Sequence, residues 1–302
     1  MTEPAPQAPR EALPLDSTAQ LLTRITAQLG TQLSLVSPNG TRRPMHRTRT
    51  RTPGPVLVAV AHGSRDPRAL RTALELLDRT RELRPGLDVR LGHIELGEPL
   101  LPDTLAGIRH GDAVLVPLLL GRGHHVRHDL PRAAAASGLR TRVAAPLGPH
   151  PLLVETLYER LVEAGWRDAD GTSRSAGVVL AAAGSRDPDS CADARRTAAM
   201  LSARLGGVPV VPAYASAATP TVPAAVRALA ARGRHRVALA SYFTAPGRFA
   251  TASAEAAPGI AAAPLGAHPA MARLLLHRYD QALTAAAPAL DTPAHAPLLA
   301  TA

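Results

Sequence analysis

Four polar residues of this chain stand where apolar runs end, and their side chains are of the kinds that bind transition-metal ions and move protons. His62 follows Val56–Ala61 in "VLVAVAHGSRDP", Glu95 lies in "HIELGEP", and His124 and His125 lie in "GRGHHVRHDLP", just past "DAVLVPLLL". Two imidazoles and a carboxylate on neighbouring strand ends would form an open N,N,O set suited to Fe²⁺, Co²⁺ or Ni²⁺. An imidazole also accepts protons near neutral pH. The single cysteine, Cys191, excludes an intramolecular disulfide and a thiolate-rich zinc site, and suits a reducing cytoplasm. Taken alone, each of these residues has a plainer reading as a cap or a solvent-facing side chain. His128 fits either a metal-rich loop or a basic helix start, and His93, His110 and His150 read as structural or exposed.

An internal repeat supplies a control. His62, Ser64, Pro67, Pro99 and Pro102 recur as Ala183, Ser185, Pro188, Pro220 and Pro223 at a shift of 121 residues, and "APLGPHP" returns as "APLGAHP". The second copy keeps "GSRDP" but loses the ionisable groups. His62 becomes Ala183, Glu95 becomes Ser216, His93 becomes Tyr214, and His125 meets Phe249 when "GRGHHV" is laid over "APGRFA". Seven of the twelve histidines fall in the first copy and three in the second. One chemical site and one degenerate pocket account for linked losses that purely structural roles would not. His150 has a counterpart in His268, so chemistry is not needed to explain it.

The elements that must position these groups alternate strand and helix. In the first copy, "PVLVAVA", "LDVRLGHIEL", "DAVLVPLLL" and "LRTRVAAPLG" read as strands. "DPRALRTALELLDRTREL", "LLPDTLAGIRHG", "RHDLPRAAAAS" and "PLLVETLYERLVEAG" read as helices, the last closing the unit. Asp66 or Ser64 caps the first helix and Pro67 opens it. This predicts an α/β fold of two tandem doubly wound parallel-sheet domains related by the repeat, with ligands beyond the carboxyl ends of the strands. The expected organisation is a basic, Pro-rich tail over 1–54 holding a short amphipathic helix, domains over 55–170 and 175–286, and a tail over 287–302.

"AHGSRDP", "HIELGEP" and "LLLGRGHHVRHDLP", in this order on these elements, resemble the sirohydrochlorin chelatase family of class II chelatases, in its long two-repeat form. The resemblance implies flavodoxin-like halves with a tetrapyrrole cleft between them and the active histidines in the N-terminal half. Carried over by motif, it makes His62 and His125 the metal-binding and proton-accepting groups, assisted by Glu95, with His124 ranked second to His125. The implied reaction is insertion of Fe²⁺ or Co²⁺ into sirohydrochlorin, in siroheme or cobalamin synthesis, without a nucleotide. Arg65, Arg122 and Arg127 would attract the carboxylates of this anionic substrate, and the helix start at Ser64–Asp66 would offer it backbone N–H groups. A carrier that binds tetrapyrrole or metal without turnover is the alternative. "HGSR" also resembles part of a phosphohistidine motif, but that motif begins Arg-His-Gly and here Ala61 precedes His62.

Composition sets the remaining bounds. The 302 residues, 46% of them apolar, suffice for two domains, and no apolar run reaches the roughly 18–20 residues of a membrane span. The net charge of +10 comes entirely from arginine among the basic residues, and part of it lies in "TRRPMHRTRTRTPGP". A solvated linker is the expected reading of that run, with neither nucleic acid nor membrane as partner. The repeat itself supplies a pseudo-dimer, so a monomer in the cytoplasm is expected.

Overall fold

The computed structural model describes residues 54–109 and 111–285. The expected tails, bar Gly54, and His110 lie outside the described residues. Every residue of "VLVAVA" is apolar, which suits a strand covered on both faces, and Val56–Ala61 (β1) is the buried centre of a parallel sheet. Its neighbours are Val89–His93 (β2) and Asp112–Pro117 (β3), with Arg140–Val143 (β4) outside β3, giving the order β2-β1-β3-β4. The second copy repeats the design. Ala176–Ala182 (β5) lies between Val210–Tyr214 (β6) and Arg236–Tyr242 (β7), and Ala261 bridges to Leu239 where a fourth strand would stand.

The matching helices are Pro67–Leu83 (α1), Leu101–Ala106 (α2), Leu130–Ala136 (α3) and Pro151–Glu163 (α4) in the first copy. A short helix, Asp168–Thr172 (α5), joins the copies, and Pro188–Arg204 (α6), Val222–Ala230 (α7), Arg248–Glu255 (α8) and Pro269–Thr284 (α9) follow. None of them is long and apolar enough to cross a membrane.

Successive side chains of β1 serve two cores, as strand geometry requires. Val56, Val58 and Val60 pack outward with Leu101, Leu105 and Leu130 of α2 and α3. Leu57 and Ala59 face inward, into a larger core that continues through α1, α4, α6 and α9 to Val178 and Leu180 of β5.

That shared layer corrects one expectation. "PLLVETLYERLVEAG" does not close its own unit, because α4 packs chiefly on β7 and α6 of the second copy and on α9, while α9 packs on α1 and β3 of the first. The closing helices are exchanged. Arg84 grips Asp280 with two hydrogen bonds of 2.6 and 2.7 Å, and the Tyr279 hydroxyl donates to the Pro55 carbonyl at 2.6 Å. In the opposite sense Arg204 pairs with Glu155, and His268 meets Glu159 at 2.6 Å. The repeated histidines cap the exchanged helices. His150 Nδ1 accepts from the Leu152 N–H, and His268 Nδ1 from the Ala270 N–H, both at 3.2 Å.

Two helical expectations shift at their ends. α2 stops at Gly107, not Gly111: the Gly107 N–H closes the last turn on the Asp103 carbonyl, and Ile108, still buried, already lies outside the helix. α3 is entered through a π-helical turn over His125–Asp129, a local widening often found at functional sites.

Candidate active site

The strand-to-helix turn after β1 explains why "GSRDP" occurs twice. Gly63 has φ +102° and Gly184 φ +94°, and a Cβ on either would overlap a backbone carbonyl of the neighbouring β2 or β6 loop, that of Glu95 or of Ser216. In both copies the serine hydroxyl accepts from the aspartate N–H at 3.1 Å, and the aspartate caps its helix at 2.9 Å. Ser64 thus shapes the turn, and its hydroxyl also borders the cleft. Arg68 holds the Asp66 carboxyl below the usual carboxylate range.

This turn presents His62 at the carboxyl end of β1. Glu95 arrives beside it because β1 and β2 are in register and the Glu95 N–H bonds the His62 carbonyl at 3.0 Å. Their side chains meet at 3.5 Å, His62 Nε2 to Glu95 Oε1. From beyond β3, His125 sets its ring edge-to-face against His62, with centroids 4.8 Å apart and planes at 86°. The Asp129 carboxylate lies 2.6 Å from His125 Nδ1, one turn further along the π-helical segment. That contact fixes the proton on Nδ1 and leaves Nε2 as an acceptor or ligand atom. Each imidazole therefore has its own carboxylate. Asp129 was not singled out in the sequence, although the His-x-x-x-Asp spacing was there to find.

The two histidines line a cleft of about 1450 Å³ between the copies. Ligand pockets usually measure about 300–1,000 Å³, so this one has room for a large ligand. One wall carries His62, His125, Ser64, Arg65 and His124; the other carries Tyr214, Phe243, Arg248 and Phe249. Arg248 lies over the Phe249 ring at 4.9 Å, and both Arg65 and Arg248 are exposed. His93, by contrast, is buried, with its Nδ1 3.1 Å from the Pro99 carbonyl. Its counterpart Tyr214 is pushed up to about 12 by burial and by Cys191.

Two of the expected substrate-facing cations are engaged elsewhere. Arg122 holds Asp193, whose side chain is 5% exposed, through its backbone N–H and guanidinium at 2.8–3.0 Å. Arg127 pairs with Asp187 and Asp189. The acidic residues belong to the second copy's cap and helix α6, so these arginines join the copies. Among the described residues no group of three or more His, Cys, Asp or Glu side chains forms a ready metal cage. His62, Glu95 and His125 are adjacent but open.

The CbiX family model matches residues 56–164 and 177–282, the two copies in turn. A sirohydrochlorin ferrochelatase of Bacillus subtilis is 27% identical over 172 residues, 54% of this chain and 64% of that protein. A sirohydrochlorin cobaltochelatase of Methanosarcina barkeri is 27% identical over 124 residues, 36% of this chain and 95% of that protein. Among solved structures, SirB from Bacillus subtilis with Fe³⁺ superposes with a TM-score of 0.63 at 22% identity, over 76% of this chain and 96% of that one.

Proposed function

This chain belongs to the CbiX family, and from that premise we propose that it inserts a divalent metal ion, Fe²⁺ or Co²⁺, into sirohydrochlorin. One observation carries the reading: two imidazoles, 4.8 Å apart and each beside a carboxylate, on one wall of a macrocycle-sized cleft. The names of the relatives, a ferrochelatase and a cobaltochelatase, point to the same substrate.

Insertion exchanges one M²⁺ for two pyrrole protons. His62 and His125 hold the incoming ion through their ring nitrogens. As the ion passes to the macrocycle, its nitrogens shed two protons, and each imidazole accepts one. Glu95 stabilises the imidazolium at His62, and Asp129 stabilises that at His125. The charge balance needs no nucleotide. Arg65 and Arg248, on opposite walls, pair with carboxylates at the substrate's periphery and set its orientation.

The test is anaerobic mixing of sirohydrochlorin with Fe²⁺ or Co²⁺ and the protein, followed by absorption spectroscopy. Product should form with the parent chain and fall to background in His62→Ala and in His125→Ala, both still folded by circular dichroism. Retained metal without product would indicate a carrier; parent-level turnover in both variants would remove these histidines from the mechanism.

A further inference from the structure

His125 belongs to a longer row of imidazoles. His124 lies beside it with ring centroids 6.2 Å apart, and His128, four residues on, lies 4.7 Å from His124. With the 4.8 Å step from His125 to His62, the row runs His128, His124, His125, His62. It leads from open solvent to the cleft wall: His128 is exposed and off the cleft, the His124 side chain is 74% exposed at the rim, and those of His125 and His62 are 33% and 43% exposed on the wall.

We propose that His124 and His128 form a landing site for the divalent transition-metal ion, from which it passes to His125 and His62. The proposal deepens the reading above, since it supplies the ion for that cleft. Two histidines at i and i+4 on a helical segment present their nitrogens to one ion, each able to bond it at about 2.0–2.1 Å. The Asp129 carboxylate, 4.0 Å from His124 Nε2, adds negative charge next to the pair. Two protein ligands with the rest left to water make a weak, exchangeable site, as suits an ion that must be passed on. Transfer is ligand exchange alone, with an imidazole of the next site replacing a water on the ion.

The second copy again serves as the control. Laid over "HHVRHD", it reads "RFATAS", so His124 and His128 become Arg248 and Ala252 in the same segment where His125 becomes Phe249. The outer pair is missing where the inner histidine is missing.

Binding of Co²⁺ alone to the full, untagged chain tests this, by calorimetry and visible absorption under anaerobic conditions. The His62→Ala/His125→Ala variant should retain one Co²⁺ equivalent, and adding His124→Asn and His128→Asn should abolish it. No Co²⁺ equivalent in the first variant, or its persistence in the second, overturns the site. In the insertion assay His128→Asn should raise the KM for Co²⁺ about tenfold, the usual scale for loss of a metal-supporting group, with kcat unchanged. A fall in kcat at unchanged KM overturns the loading role. The binding arm needs no tetrapyrrole, so it stands or falls separately from the chelatase reading.

Discussion

His125 Nδ1 and Asp129 Oδ2 lie 2.6 Å apart within a single π-helical turn, so the carboxylate orients the ring that faces His62. Asp129→Asn keeps the size of the side chain but offers Nδ1 an N–H donor, which shifts the ring proton to Nε2. The expected result is a 10- to 100-fold fall in kcat, roughly the cost of losing a group that orients a metal-binding histidine, with the melting temperature little changed. Insertion at the parent rate would show that the pair does not matter.

Gly63 and Gly184 should be intolerant of a side chain to the same degree, although only Gly63 follows a histidine. Gly63→Ala and Gly184→Ala force a Cβ against a carbonyl oxygen at positive φ. Each should destabilise the fold by about 3 kcal/mol or more in urea unfolding. A large difference between the two would mean that the turn does not serve the same purpose in both copies.

The arginines separate by role. Arg65→Ala and Arg248→Ala should each raise the KM for sirohydrochlorin by roughly fivefold, the worth of about 1 kcal/mol for an exposed charged contact, and the effect should shrink with added salt. Arg122→Ala should leave that KM alone and instead lower the urea midpoint, because it strands the buried carboxylate of Asp193. The reverse pattern would make Arg122 the substrate-binding residue.

His150 gives the fold a pH dependence. Burial, with Arg278 and His277 nearby, lowers its imidazole to about 4, and its Nδ1 must stay unprotonated to accept from Leu152. The unfolded chain takes up a proton near pH 6.5. Below that pH the unfolded state therefore binds more protons, and stability falls progressively until about pH 4. His150→Asn, which still caps, should flatten this decline between pH 6.5 and 4 when urea midpoints are compared. An unchanged slope would refute the assignment.

The periodicity of apolar residues made the strands legible, and the repeat separated His62, present in one copy only, from Gly63, whose turn recurs in both. Partnership across the copies was not legible. The apolar face of α4 says that it must be buried but not against which sheet, and the exchange with α9 follows from packing over long separations. Arg122 and Arg127 looked free because their acidic partners stand some sixty to seventy residues away, on the second copy's α6 and its cap. His150 reads as structural or exposed, but the sequence does not say that it caps the very helix that is exchanged.

The cleft has an imidazole wall and a phenyl wall: His62, His124 and His125 line one side, and Phe243 and Phe249 the other. A flat macrocycle entering it would meet imidazoles on one side and phenyl rings on the other. A symmetric pair of intact copies would offer either face equally. Loss of the second set of imidazoles therefore gives the cleft a handedness: an ion held by the remaining imidazoles would approach a bound ring from one side, with phenyl side chains on the other.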